Sequence, residues 1–499
     1  MNYPHRATLQ GGSSPVPWTL LPSAWLEPVP GRRPGPWRPE RRLAPRPLTP
    51  YSAGWLLELL PPLTARISRE LALPSAGVEL SLAPEGDLHA RPLPVGGLAG
   101  WLPLRAARHG LRAARAGWAL VRWWDEQGPR ALLADASELR LRVVPLEQRG
   151  PAPGEWKRVL ERCRELWAAH LDRLLRAEAL ATLGRWQLQA LLEAFGLDGS
   201  AAGRPAAGQP GREGMGDTSA AGDGNGDGDG RDGGGNPASR DAGASRPVTA
   251  DDLLPVPAVA AEINQRLWHM AARTRQVAAI RQVFASCPPG EPGALHHRLS
   301  RVAARATELG EAGQEFFLLW NQFRERYGHL AWPAAELAAP TWAEDPTPAL
   351  QILAAHFQDR GLSPIAAEIN AERRREQVLD RIRSRLAGRR LDRGRLEETL
   401  RLAEATGRVA AELGYHVLLL RSWWRRAVLG AGRDLAARGW LDAPADVWFL
   451  TPAELEDALA AAAEDRPPRV LDRARQRRAR WPLAPDGAVR DDRTAPASG

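Results

Sequence analysis

Only a few residues in this sequence have the types and spacing that metal binding or acid–base catalysis requires. The segment 223–228 imitates the start of an EF-hand calcium loop, but its twelfth position is Gly234, where calcium needs a bidentate Glu. His170 lies on an apolar helical stripe without a His, Asp or Glu at ligand spacing, which favours a hydrogen-bonded core histidine. Glu344 and Asp345 are adjacent acids before a proline, a pattern more typical of a turn and helix start than of a catalytic dyad.

Motifs that bind phosphate or activate a nucleophile are missing from the sequence. It contains no GxxxxGK[ST] loop, no GxGxxG turn that opens a helix, no HExxH helix and no GxSxG elbow. Cys163 and Cys287 form neither a CxxC pair nor a zinc pattern, so we expect both to be reduced and structural. We therefore predict that the chain carries no complete catalytic motif and no metal site of its own.

Length and composition indicate a folded protein with more than one core-forming unit. The 499 residues are 44% hydrophobic and 25% charged, which is ordinary globular usage. The net charge of +8 is carried mainly by Arg, which alternates with Glu and Asp along helical stretches such as RLEETLRLAEATGR. That pattern is typical of a solvated face, so we expect no nucleic-acid partner. No stretch approaches the ~18 apolar residues that span a bilayer, and no signal peptide is recognisable, so we expect a cytoplasmic protein without membrane contact.

Hydrophobic periodicity predicts a mainly α-helical fold, with a multi-helix domain that has a few short strands in its N-terminal half and is interrupted by an insert. The first helical block covers 41–198 and the second covers 249–464. Between them, the Gly- and Asp-rich segment 199–248 is predicted to be disordered, because it cannot bury enough apolar surface to offset chain entropy. A Pro/Arg-rich arm, 1–40, precedes the blocks, and a flexible basic tail, 465–499, follows them.

The first block should contain two clear helices. One begins near Thr49 or Ser52, and apolar residues at steps of three and four predict another that runs from 154 to 196. The short apolar runs GVELSL (77–82) and LRLRVVPL (139–146) are predicted to form small strands.

Helices also dominate the second block. The segment 258–284 is amphipathic and predicts one helix, and a later helix with an aromatic stripe ends at Gly328. A long helix stops at Gly439. The run DVWFL (446–450) is then predicted to be extended, and a capping box that begins at Thr451 starts a last helix.

The most informative segment is 324–353, RERYGHLAWPAAELAAPTWAEDPTPALQIL, in which a helix ends in RYGH before an acidic and aromatic crossing and a helix that starts at DP. We call it the crossing segment. It is accompanied, in order, by the PLTP segment (45–52, PRPLTPYS) and the closing segment (418–455), which contains a helix, a glycine stop and a DVWFLT run. Together these segments resemble the central, substrate-binding helical domain of rifampicin phosphotransferases and related phosphoenolpyruvate-synthase-like enzymes.

That resemblance implies a division of labour. In the family, an ATP-grasp module precedes this domain and a swivelling phosphohistidine module follows it, carrying the phosphoryl group to a bound acceptor. This sequence matches neither module. We therefore expect a stand-alone acceptor-binding subunit of a split phosphotransferase, which is inactive without separately encoded ATP-grasp and phosphohistidine proteins. ATP and Mg would act on those partners, and the chain alone would bind no cofactor.

The resemblance also suggests which residues would line an apolar and aromatic cleft for a small-molecule acceptor. They are Pro47, Leu48, Thr49, Phe316, Trp320, His329 and Arg421. His329 would orient or deprotonate an acceptor hydroxyl; for most of the others, core packing is the competing interpretation. The alternative function is a catalytically dead relic, or a helical protein that binds a ligand or another protein without chemistry.

Overall fold

The computed structural model describes most of both predicted blocks. The described residues are 20–26, 33–73, 75–83, 86–95, 102–151, 154–196, 248–285, 299–300, 302–304, 306–358, 363–464 and 471–480. The calcium-like segment 223–228, Cys287 and the predicted insert up to residue 247 lie outside them.

Helices make up most of the described chain, which confirms the predicted fold class. The helices are α1 (Pro50–Leu71), α2 (Leu102–Glu126), α3 (Gly128–Arg149), α4 (Glu155–Ala194), α5 (Ala258–Thr274), α6 (Ala278–Ala285), α7 (Gly310–Tyr327), α8 (Thr347–Gln358), α9 (Pro364–Arg385), α10 (Arg390–Ala437), α11 (Pro452–Ala463) and α12 (Leu471–Arg480). None of the described helices is both long and apolar enough to cross a bilayer.

A small antiparallel sheet lies beside α1 in the order β1 (Arg38–Pro39), β3 (Leu88–Pro92), β2 (Val78–Leu82). Strand β2 confirms the strand prediction for 77–82. The prediction of a strand at 139–146 is wrong, because these residues belong to α3. The buried side chains of α3 include Leu132, Ala136, Leu139 and Val143, whose spacing of three and four residues is helical and is visible only in a longer window.

The longest helices, α4 with 40 residues and α10 with 48, come from different predicted blocks and pack against each other. Trp55 on α1, Trp167 on α4 and Trp424 on α10 contact one another, with ring centroids 5.5 to 5.7 Å apart. All three indoles are buried. The two blocks therefore share one apolar core.

The close packing of α10 against α4 gives a direct test. A Cβ on Gly430 would lie 2.3 Å from the Trp156 ring, whereas a Cβ on Gly407, in the same helix, would meet nothing within 4 Å. We expect Gly430→Ala to lower the free energy of unfolding by about 1–3 kcal/mol through overpacking. Gly407→Ala should raise it by up to about 1 kcal/mol through helix propensity. Urea denaturation measures both, and equal effects would contradict this helix contact.

Three further predictions need correction. The segment 258–284 forms two helices, because the chain turns after Thr274, whose hydroxyl donates to the Met270 carbonyl at 2.7 Å and whose own carbonyl accepts from Val277 N at 3.0 Å. The run 446–450 is not extended: Pro444–Phe449 form a 3₁₀ turn.

The third correction concerns the predicted flexible tail, of which residues 471–480 form α12. This helix packs on the 3₁₀ turn, where Arg478 contacts Asp446 at 2.7 Å, and Arg477 pairs with Glu454 in the first turn of α11. Among the side chains of this helix whose burial is described, Ala474 is the buried apolar one, so hydrophobic periodicity gives little signal for it.

Candidate functional site

The PLTP, crossing and closing segments meet in one buried cluster. Thr49 comes from the first, Glu336 from the second and Arg421 from the third; with Ser52 they form what we call the polar node. All four side chains are buried. The node thus joins three parts of the chain that are far apart in sequence.

Glu336 lies at the centre of the polar node. Its carboxylate accepts hydrogen bonds from Thr49 N at 2.7 Å, Thr49 Oγ1 at 2.9 Å, Ala338 N at 2.8 Å and the Ser52 hydroxyl. Ser52 Oγ also accepts from Leu337 N at 2.9 Å. Since Thr49 caps α1, the crossing is tied directly to the start of that helix.

Two arginines of α10 donate hydrogen bonds to backbone carbonyls on the other side of the crossing segment. Arg421 donates from Nε to the Ala334 carbonyl at 3.0 Å and from Nη2 to the carbonyls of Glu336 and Ala339. Burial lowers the pKa of Arg421 to about 9, which still leaves it charged at neutral pH. Arg425 donates to the Ala338 carbonyl at 2.7 Å. The guanidinium groups thus replace regular secondary structure as partners of this irregular backbone.

Most of the predicted acceptor-binding residues lie in the core. Leu48 is fully buried beside the half-buried Pro47, and its amide donates to the Gly86 carbonyl at 3.0 Å. Phe316 and Trp320 are buried on α7, where Trp320 stacks on the next aromatic residue of the stripe. Thr49 and Arg421 belong to the polar node. The contact of these residues with an acceptor stays a prediction. The contacts that the structure contains join them to other parts of the protein.

His329, at the end of the RYGH sequence, is half-buried against α10. Its Nε2 lies 3.3 Å from the Tyr415 carbonyl oxygen, and its ring contacts the Tyr415 ring edge-on at 4.7 Å. Burial lowers its pKa to about 4, so the imidazole is neutral at pH 7. Because Nε2 donates to a backbone carbonyl, His329 fixes the position of Tyr415.

A cleft of about 250 Å³ opens next to His329, between α5, α7 and α10. Its lining combines aromatic rings with charged groups. The lining residues are Val259, Glu262, Arg326, Tyr327, Glu412, Tyr415 and His416.

Hydrogen bonds order one wall of the cleft. Arg326 pairs with Glu262 at 3.0 Å and donates to the Tyr327 hydroxyl at 3.1 Å, and the Tyr415 hydroxyl donates to the Arg326 carbonyl at 2.9 Å. Burial alone would raise the pKa of Glu262, but hydrogen bonds from Tyr327 and Arg266 and the charge of Arg326 outweigh it and lower that pKa. Glu262 is therefore ionised at neutral pH.

His416 also lines the cleft, and its ring nitrogens form no hydrogen bond with a described residue. Its half-buried ring packs between Tyr415, at 5.2 Å, and Trp124, at 5.7 Å. Burial lowers its pKa below the ordinary value, so it is neutral at pH 7. Sequence reasoning missed His416, Glu262 and Glu336. Of these three residues, only His416 could have been found from the sequence pattern, because it follows Tyr415 at the edge of the apolar stripe of α10.

The other candidate groups have structural roles. His170 is buried, with Nε2 2.6 Å from Asp135 Oδ2, which confirms a hydrogen-bonded core histidine. Asp345 accepts from Thr347 N at 3.0 Å at the start of α8, and Glu344 accepts from Thr341 N at 2.7 Å, so these acids form a turn as predicted. Among the residues described, no three His, Cys, Asp or Glu side chains are grouped as a metal site.

Comparison with known proteins identifies part of the chain. A family model described as the rifampicin phosphotransferase fourth domain matches residues 238–410, about a third of the sequence. This match confirms the resemblance and covers the crossing segment and the helices from α5 into α10. Glu262, Arg326 and Tyr327 lie inside the match, and Glu412 to His416 follow directly after it. No curated protein matches the chain.

Proposed function

We propose that this chain is the acceptor-binding subunit of a phosphotransferase, a proposal supported by the match of residues 238–410 to the family model of the rifampicin phosphotransferase fourth domain. In this proposal, separate ATP-grasp and phosphohistidine proteins activate ATP with Mg²⁺ and carry the phosphoryl group, and the complex works in the cytoplasm. This chain binds a small-molecule acceptor in the cleft and presents its hydroxyl. Such positioning makes a large contribution to a phosphoryl-transfer rate, which depends on orientation and electrostatics.

The cleft between α5, α7 and α10 is the observation that carries this proposal. Ligand pockets commonly measure about 300–1,000 Å³. At about 250 Å³, this cleft would hold the reacting part of a larger acceptor, with the remainder outside. Aromatic rings of Tyr327 and Tyr415 offer apolar contact, while Glu262 and Glu412 offer acceptors for hydroxyl groups.

A reconstituted reaction tests the proposal. The chain is mixed with ATP, Mg²⁺, and purified ATP-grasp and phosphohistidine proteins from the same genome, with rifampicin and a panel of hydroxyl compounds as acceptors. Mass spectrometry should find a phosphorylated acceptor only when this chain is present. No transfer to any acceptor, together with no complex among the proteins, would contradict the proposal.

A variant of the cleft makes the same assay site-specific. Tyr415→Ala should lower kcat/KM at least about tenfold, because an aromatic side chain contributes about 1.5–3 kcal/mol of apolar contact and 1.4 kcal/mol corresponds to tenfold. Trp186→Ala, at an indole that is 46% exposed on α4, is the matched control and should leave kcat/KM unchanged. Equal rates for both variants would place the acceptor elsewhere.

A further inference from the structure

Histidines in the described part of the chain differ in how their ring nitrogens are bonded. The ring of His170 is bonded to Asp135, that of His329 to the Tyr415 carbonyl, and His356 Nε2 lies 2.7 Å from Asn264 Oδ1. No described residue forms a hydrogen bond with a ring nitrogen of His89, His269 or His416, and of these three it is His416 that lines the cleft. Its ring nitrogens are not among the buried unpartnered atoms of the described residues, so they are open to water or to a ligand that enters the cleft.

The position of His416 suits a role in ligand binding. Its ring is held between Trp124 and Tyr415, and it lines the cleft beside Glu412, one helical turn earlier. Glu412 is itself fixed, because it accepts from Trp124 Nε1 and lies 3.5 Å from Arg408. Hence the ring has a defined orientation and its nitrogens remain available to a ligand.

From this geometry, we infer that His416 accepts the proton from the hydroxyl group of the ligand bound in the cleft. The inference rests on the proposed function and adds the acid–base residue to it. The O–H bond of the acceptor breaks and its proton moves to a His416 ring nitrogen. The oxygen electron pair then forms the bond to phosphorus, and the P–N bond of the donor phosphohistidine breaks, with its electron pair returning to the donor imidazole.

The protonation state of His416 before the transfer allows its ring to accept the proton. His416 starts neutral because burial lowers its pKa. Glu412 lies one helical turn earlier, at the (i, i+4) position, where its carboxylate accepts from Trp124 Nε1. The titratable and charged groups that line the cleft with it are Glu262, Arg326, Tyr327, Glu412 and Tyr415, and His329 interacts with it electrostatically from outside the lining.

The availability of the ring can be tested without any partner protein. Diethyl pyrocarbonate acylates unprotonated imidazole, and peptide mass spectrometry of the intact chain locates the modified residues. We expect His416 to react at pH 7 faster than His170 and His356, and its rate to fall as the pH drops through its pKa. Modification of His416 no faster than that of His170 would overturn the inference on its own.

The catalytic role is tested in the reconstituted reaction. His416→Gln should lower kcat about 10²–10⁴-fold with little change in KM, and should remove the loss of rate at acidic pH that the wild-type chain shows. His269→Gln, at an exposed histidine of α5, is the control and should behave as wild type. A His416→Gln chain that keeps its kcat overturns the inference. A wild-type chain that transfers no phosphate overturns the proposed function, and with it the transfer step.

Discussion

Glu336→Ala is expected to lower the free energy of unfolding by about 3–5 kcal/mol, measured by urea denaturation followed by tryptophan fluorescence. Removing one side of a buried charged network leaves its other groups without partners, and such losses fall in this range. The carboxylate accepts from Thr49 N, Thr49 Oγ1, Ser52 Oγ and Ala338 N, and all of these donors would lose their bond. Alanine offers none of them a replacement acceptor.

Glu336→Gln tests the effect of removing the carboxylate charge while the side-chain volume is kept. Glutamine fills the same volume, but its single carbonyl oxygen cannot satisfy four donors, and its amide group would face them as a further donor. We therefore expect a loss of about 2 kcal/mol or more for this variant as well. Glu325→Ala, at an exposed position on α7, is the matched control and should change stability by no more than about 0.5 kcal/mol. A Glu336→Ala chain as stable as this control would contradict the hydrogen bonds of the polar node.

Helices could be predicted from sequence wherever one apolar stripe continued for several turns. Both α4 and the stripe of α7 follow this rule, and caps such as Thr451 with Glu454 mark a helix start by local chemistry alone. The strand prediction at 139–146 failed because the window was too short to show helical spacing. Helix α12 was missed because ion pairs, which have no sequence period, hold most of it.

The site was harder to predict than the fold. Motif resemblance correctly selected three segments that meet, but it emphasised residues that turn out to pack in the core, such as Phe316. Glu336 stands in an alanine- and proline-rich stretch without periodicity, and its importance comes from donors on α1 that lie 284 or more residues away. The cleft depends on which faces of α5, α7 and α10 meet, and spacing within one helix does not determine that.

Arg421 completes the polar node from the side of α10, and its replacement should have a comparably large effect. Arg421→Met keeps most of the side-chain volume but removes the donors to the carbonyls of Ala334, Glu336 and Ala339. It also removes a positive charge near the Glu336 carboxylate. We expect a loss of about 3–5 kcal/mol in urea denaturation, because carbonyls and a carboxylate are left buried without it.

Arg421→Lys should recover only part of this loss, because one ammonium group cannot reach carbonyls on different sides as the planar guanidinium does. Arg426→Met is the matched control on the same helix: its ion pair with Glu147 is exposed, and it should cost about 1 kcal/mol or less. If Arg421→Met were no more destabilising than this control, the node would not depend on Arg421. The double variant Glu336→Ala/Arg421→Met should lose less than the two single losses combined, because once either charged group has gone, the crossing segment is already released from α1 or α10.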